Sequence, residues 1–124
     1  MKIYFIKNIG QVFLITILMF FQIAAFAARE DIVGVGLVLE KTKSTFMVKE
    51  LVPNGPAETN GNITSGDILL AIDTDAVGKW KSVDNLTLEE VVMLIRGNEG
   101  SPVGLEFSNQ RGSFEIILIR QKLN

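Results

Sequence analysis

DIVGVGLVLE (residues 31–40) sets two glycines two residues apart among β-branched and aliphatic residues. Val, Ile and Leu favour an extended strand. Gly34 and Gly36 work against one, because glycine loses the most conformational freedom on folding and brings no side chain to pack. A chain tolerates that cost where its backbone bends tightly. It also tolerates it where something must come close to the backbone. Both reasons suit this stretch.

Downstream of the glycines, VGLVLE (residues 35–40) and TFMVKELV (residues 45–52) read as two strands, and the polar KTKS between them suits an exposed hairpin connection. PNGPAETNGNITSGD (residues 53–67) is dense in turn formers. Within it PAET predicts a short helix, with Pro56 tolerated at a first helical position. DILLAID (residues 67–73) is a compact apolar strand, and TDAVGKWKSVDN (residues 74–85) a loop. In that loop the Trp80 ring is expected on the surface of the core, with Lys79 and Lys81 solvated.

TLEEVVMLIR (residues 87–96) predicts the long helix. Thr87 and Glu90 have the spacing of a capping box. Leu88, Val91, Val92 and Ile95 recur at helical spacing, and Gly97 is placed to stop the helix. PVGLEFS (residues 102–108) and SFEIILIR (residues 113–120), joined by the turn NQRG, are the closing strands. The fold class expected is α+β: a small, mostly antiparallel sheet or partly open barrel capped by two helices.

Upstream, the chain reads as an export signal. Lys2 and Lys7 precede an uncharged run over residues 12–27 that ends on Ala25-Phe26-Ala27, and Arg29, Glu30 and Asp31 follow at once. This predicts a signal peptide over residues 1–27 and one domain over residues 28–124, with the mature protein periplasmic or secreted. The alternative is an uncleaved anchor, for which the run is at the short end of what about 30 Å of hydrocarbon needs. Contact with a membrane would then be through that segment alone.

The whole chain carries a net charge of −2, and loss of Lys2 and Lys7 makes the domain more acidic still. Such a surface offers no footprint for nucleic acid. The chain has no cysteine and no histidine. Disulfides are therefore excluded, and so are the commonest general base and the commonest metal ligand. Ser44, Ser65, Ser82 and Ser101 are read as loop residues, and no serine stands in a G-x-S-x-G elbow or an S-x-x-K pair. Asp67, Asp73 and Asp75 lack the pattern of a calcium loop and read as turn-capping carboxylates. No cofactor and no metal are expected, and the domain is not expected to be an enzyme.

With these pieces in order, GVGL (residues 34–37) resembles the GLGF-type carboxylate-binding loop of PDZ domains. NGPAETNGNITSGDILLAID, LTLEEVVMLIRGNEGSPVGLEF and the closing FEIILIR are similar, in order and spacing, to the PDZ module of bacterial tail-specific proteases. In that circularly permuted variant the closing strand takes the place that an opening strand has in animal PDZ domains. The resemblance spans roughly residues 33–120, and the family's Ser–Lys protease domain would begin where this chain stops.

The resemblance implies a ligand and a site. In the loop Gly34-Val35-Gly36-Leu37, the converging N–H groups of Val35, Gly36 and Leu37 would hold the carboxylate of a free peptide C-terminus. The peptide would add as a strand beside residues 37–40. Its side chains would enter a groove of Val35, Leu37, Leu39, Leu88, Val92 and Ile95. Val91, Leu94 and Val38 are read instead as packing residues. The implied partners are apolar C-terminal tails of envelope or secreted proteins, with a separate protease as a further partner. The protein would be an adaptor or scaffold, or alternatively a recognition subunit or truncated fragment of a tail-specific protease.

Overall fold

The structure, a computed structural model, describes residues 31–123. The reading of residues 1–27 as a signal peptide lies outside the described residues, as does Asn124. The elements in chain order are β1 (Val33–Gly34), β2 (Leu37–Thr42), β3 (Thr45–Leu51), α1 (Pro56–Asn60), β4 (Ile68–Asp73), β5 (Lys81–Ser82), α2 (Leu88–Ile95), β6 (Pro102–Asn109), β7 (Gly112–Ile119) and β8 (Gln121–Lys122). The main sheet runs β2-β3-β4-β6-β7, with β5 beside β4, and every pair is antiparallel. It has two ends, β2 and β7, and so is open rather than closed into a barrel. β1 and β8 form a separate two-stranded ribbon.

Local chemistry accounts for the helices. Thr87 Oγ1 accepts from the Glu90 N–H at 3.1 Å, and Glu90 Oε1 accepts from the Thr87 N–H at 3.1 Å. Two of the donors left over at the start of α2 are thereby satisfied. The Thr87 N–H, and with it the Thr87 hydroxyl, holds the Glu90 carboxyl below its ordinary pKa. α1 opens on Pro56 and ends on Gly61 in the left-handed region at φ 82°, as a helix C-terminus favours.

The core lies between the sheet and the helices. Phe46 and Leu69 from β3 and β4, and Leu105 and Phe107 from β6, are fully buried together with Val91 of α2. The Phe107 ring stacks on Phe114 at 5.7 Å. Buried carboxylates are spoken for by the local backbone. Asp67 accepts from the Thr64 N–H at 2.9 Å and from Asn109 Nδ2 at 3.3 Å. Asp73 accepts from the N–H groups of Val77 and Gly78.

Several expectations are corrected. Residues 81–82 form a short strand against β4 rather than loop, pairing Ala71 with Ser82 and Ile72 with Lys81. Trp80, just before it, lies on the surface of the core as expected, 37% exposed with its ring over Gly104, where a Cβ would meet its Cη2 at 3.0 Å. Val38 is 38% exposed and is not a packing residue; a register shift between Val38 and Leu39 interrupts the strand there. Gly97 has no left-handed φ and does not end α2 as a glycine cap, because Arg96 already turns out of the helix at ψ 159°. Glycine is needed at 97 for another reason: a Cβ would lie 2.8 Å from Arg120 Nε.

Candidate functional site

The segment between β1 and β2 is held from behind. The Val35 carbonyl accepts from the Ala57 N–H at 2.9 Å, at the start of α1, and the Gly36 carbonyl accepts from the Val52 N–H at 2.9 Å. In a planar trans peptide the N–H of the next residue points opposite to the carbonyl. The N–H groups of Gly36 and Leu37 therefore point away from α1 and β3. The side they face holds a cavity of about 100 Å³ to which both residues contribute.

Gly36 is the bend. Its φ is +77°, and a Cβ there would meet the Gly55 Cα at 3.3 Å and the Val52 Cβ at 3.4 Å. Gly55 returns the constraint, since its own Cβ would meet the Gly36 Cα at 3.3 Å. Gly34 has no such φ, and its nearest neighbours, Leu123 Cδ1 and Arg96 Cγ, lie at the ordinary distances of 3.5 and 3.8 Å. Of the two glycines, Gly36 is thus the one the fold requires, as the bend, whereas a Cβ at Gly34 would make ordinary contacts.

Beyond the bend runs an unpaired sheet edge. β2 pairs with β3 on one side only. The Val52–Gly36 bond makes Leu37 and Leu51 a non-hydrogen-bonded pair, so the N–H and C=O of Leu37 face the open side. An edge of this kind is a template for a further strand. α2 lies alongside. Leu37 and Leu39 of β2 face Val92 and Ile95 of α2 across the cavity. At the other end of the edge, Lys41 Nζ donates to the Leu86 carbonyl at 3.1 Å and ties β2 to the segment that leads into α2.

Of the residues singled out from sequence, Gly34, Val35, Gly36, Leu37, Leu39, Val92 and Ile95 come together around this one cavity. Val35 does so from the core, at 1% exposure. Leu88 is not part of the lining; it is half-buried and packs against the core beneath α2. Three lining residues had not been singled out for the site: Ile32, Arg96 and Leu123. Arg96 was legible only as a cation at a helix end. Ile32 and Leu123 meet through the Leu123 N–H to Ile32 carbonyl bond of 2.9 Å, which joins opposite ends of the domain, and no local pattern announces such a pairing.

The site contains no acid–base pair and no nucleophile in its lining. Among the described residues, no three His, Cys, Asp or Glu side chains come together as a metal site. What the arrangement can do is accept an extended chain along β2 and hold an anionic end against backbone donors.

Comparisons with known proteins agree with this geometry. A family model described as PDZ domain matches residues 22–107. The tail-specific protease of Haemophilus influenzae is 33% identical over 92 residues, covering 73% of this chain and 13% of its own length. A probable CtpA-like serine protease of Staphylococcus haemolyticus is 32% identical over 94 residues, covering 76% of this chain and 18% of its own length. The chain thus spans under a fifth of these relatives. Among solved structures, the PDZ domain of the carboxy-terminal protease from Vibrio cholerae, determined in complex with peptide, superposes with a TM-score of 0.71 at 26% identity, covering 77% of this chain and 99% of that one.

Proposed function

Because the chain belongs to the PDZ domain family, we propose that it binds the free C-termini of other proteins by strand addition to β2. The observation that carries this reading is the pair of N–H groups at Gly36 and Leu37, aimed into a cavity at the end of an unpaired edge. Gly34, Val35, Gly36 and Leu37 form the carboxylate loop. Leu37, Leu39, Val92 and Ile95 line the slot for the last side chain of the ligand. Leu88, half-buried at the start of α2 and outside the cavity lining, meets the side chain two places further in by the likeness to the family alone. The peptide complex of the Vibrio cholerae domain supports the same mode here.

The ligand is apolar at both positions. The slot offers aliphatic walls, and apolar burial is worth about 25 cal/mol per Å². Leucine at 88 offers a ligand hydroxyl neither donor nor acceptor. The test is titration of the protein with one peptide in four forms, carrying Val or Thr two places from the end, each as free acid and as amide. A hydrogen bond to a charged group contributes about 1.5–3 kcal/mol, so amidation should weaken binding by roughly tenfold or more. Val should be preferred over Thr at the inner position. Equal affinity of acid and amide would remove the carboxylate reading, and a preference for Thr would remove Leu88 from the groove.

The cellular role follows from export. The N-terminal pattern and the likeness to tail-specific proteases support an exported adaptor or scaffold for envelope or secreted proteins, itself without catalysis. The match to those proteases is confined to their recognition module, which also supports the second reading, a non-catalytic recognition subunit that serves a separate protease. Protein recovered from the envelope should have an intact mass that begins at Ala28. A full-length mass in the membrane fraction would mean an anchor instead.

A further inference from the structure

We propose that β7 is a second docking edge, and that it takes an extended segment of another protein in which two alternate aliphatic residues are followed, two places on, by lysine or arginine. β7 is the end of the main sheet opposite to β2, and among the described residues it pairs only with β6. The Arg120 N–H donates to the Ser101 carbonyl, and the Arg120 carbonyl accepts from the Gly100 N–H, both at 2.9 Å. Direction alternates along an antiparallel strand, so Ile119, Ile117, Glu115 and Ser113 turn their N–H and C=O groups to the open side. Sheet edges are ordinarily guarded by lysine, proline, a bulge or shortness. β7 is eight residues long, holds neither lysine nor proline, and keeps its register with β6 throughout.

The outer face of this edge sets the chemistry of its occupant. Phe114, Ile116 and Leu118 pack toward the core, which leaves Ile117 and Ile119 outside at 62% and 47% exposure. Gly104 stands opposite Ile117 with the Trp80 ring over it, so the apolar strip continues across β6. Next along, Glu115 stands opposite Glu106 in a non-hydrogen-bonded pair, where side chains come closest. Like charges so placed repel. The ion pairs among the described residues both belong to Lys122, so this acidic pair has no cation of its own there. An antiparallel segment answers both features, with aliphatic residues opposite Ile119 and Ile117 and a cation opposite Glu115. A second copy of β7 does not: centred on Ile117, it sets Ile119 against Glu115 and brings no cation. The edge is about 26 Å long at about 3.3 Å per residue, which suits a single strand better than the roughly 800 Å² per partner of a domain interface. Because β2 and β7 are opposite ends of the sheet, a C-terminal tail and this segment are held at once, as an adaptor requires. That bridging role rests on the peptide-binding reading, and the docking itself does not.

The probe is the heptapeptide Thr-Val-Thr-Val-Thr-Arg-Thr, acetylated and amidated so that it has no free carboxylate for the loop at residues 34–37. Fluorescence of Trp80, the chain's one tryptophan, reports its binding. Glutamate in place of the arginine should weaken binding at least about threefold, through loss of an exposed ion pair and gain of a repulsion. Glu115→Lys should reverse that preference. The reversal needs a folded protein, so it stands apart from any loss of fold. Ile117→Lys puts a charge on the edge and should abolish binding of both heptapeptides. A saturating free-acid peptide in the β2 groove should displace neither. No binding to the wild type, equal affinity of the arginine and glutamate forms, or displacement by the free-acid peptide overturns the inference. So does a concentration-dependent dimer of the protein alone that Ile117→Lys abolishes, since the occupant is then a second copy. Failure of the free-acid peptide to bind, with the heptapeptide still bound, would remove the groove reading and leave the β7 edge standing.

Discussion

Replacing Arg120 with leucine should destabilise the protein by at least about 3 kcal/mol, a large fraction of the 5–15 kcal/mol typical of a whole domain. Arg120 is 3% exposed. Its Nε donates to the Ile95 carbonyl at 2.7 Å. Nη1 donates to Ser101 Oγ at 2.9 Å and to the Pro102 carbonyl at 3.0 Å. Nη2 donates to the Thr74 carbonyl at 2.7 Å, to Thr74 Oγ1 at 3.2 Å and to the Leu94 carbonyl at 3.2 Å. One planar guanidinium thus serves the open end of α2, the turn after β4 and the start of β6. Burial lowers its pKa, and the charge of Asp75 opposes that shift.

Leucine fills part of the volume and answers none of these acceptors. Each buried carbonyl left without a donor costs about 1–3 kcal/mol. Lysine offers three donors from a single point and cannot reproduce the fork. Urea unfolding of the wild type, Arg120→Leu and Arg120→Lys measures the effect. The expected order of midpoints is wild type, then lysine, then leucine. A midpoint for Arg120→Leu within about 1 kcal/mol of wild type would show that water replaces the guanidinium without loss. The functional consequence is indirect. Leu94 and Ile95 are the last residues of α2, and Ile95 lines the slot, so Arg120 is a positioning residue for the groove wall. Arg120→Lys should accordingly loosen peptide binding even where the fold survives.

The second large effect is expected at Gly36. Alanine there must adopt a φ of +77°, which costs an L-residue roughly 1–2 kcal/mol. Its Cβ would also press on the Gly55 Cα at 3.3 Å, with the Val52 Cβ in ordinary contact at 3.4 Å. The Gly55 contact is with backbone and yields poorly, and overpacking of this kind adds roughly another 1–3 kcal/mol. A loop that relieves the strain rotates the peptides on either side and turns the Gly36 and Leu37 N–H groups from the cavity. Gly36→Ala should therefore lose stability and, in the fraction still folded, the preference for a free acid over an amide. Gly34→Ala is the control, with ordinary contacts and no positive φ; its stability should stay within about 1 kcal/mol of wild type. Denaturant unfolding and the acid-against-amide titration, run on both variants, decide the matter. Equal behaviour of the two glycines would mean that the bend is not what aims the donors.

Much of this architecture was written in short-range pattern. The Thr87–Glu90 box, the spacing of Val91 and Ile95, and Pro56 at the head of α1 all act within a turn or two of chain. The helices they predict are the helices found, to within a residue at each end. The alternating aliphatic runs gave the five long strands for the same reason: strand period and turn chemistry are local. The ordered motifs around residues 34–37 also located the cavity, since most of the residues expected there meet there.

What local pattern does not carry is any consequence of closure between distant segments. β5 exists because Ala71 and Ile72 offer it an edge. Glycine is required at 97 because a side chain from residue 120 crosses it. Arg120 itself ends an apolar strand in the sequence, and only the fold surrounds it with carbonyls from three separate segments. Gly34 and Gly36 look alike in sequence, and they part company only when Gly55 arrives behind one and Leu123 beside the other. The sequence by itself determined the elements and the segment that bends, through interactions that span a few residues. Tertiary structure alone decided which side chains wall the slot, because Ile32 and Leu123 become neighbours only when the ends of the domain pair.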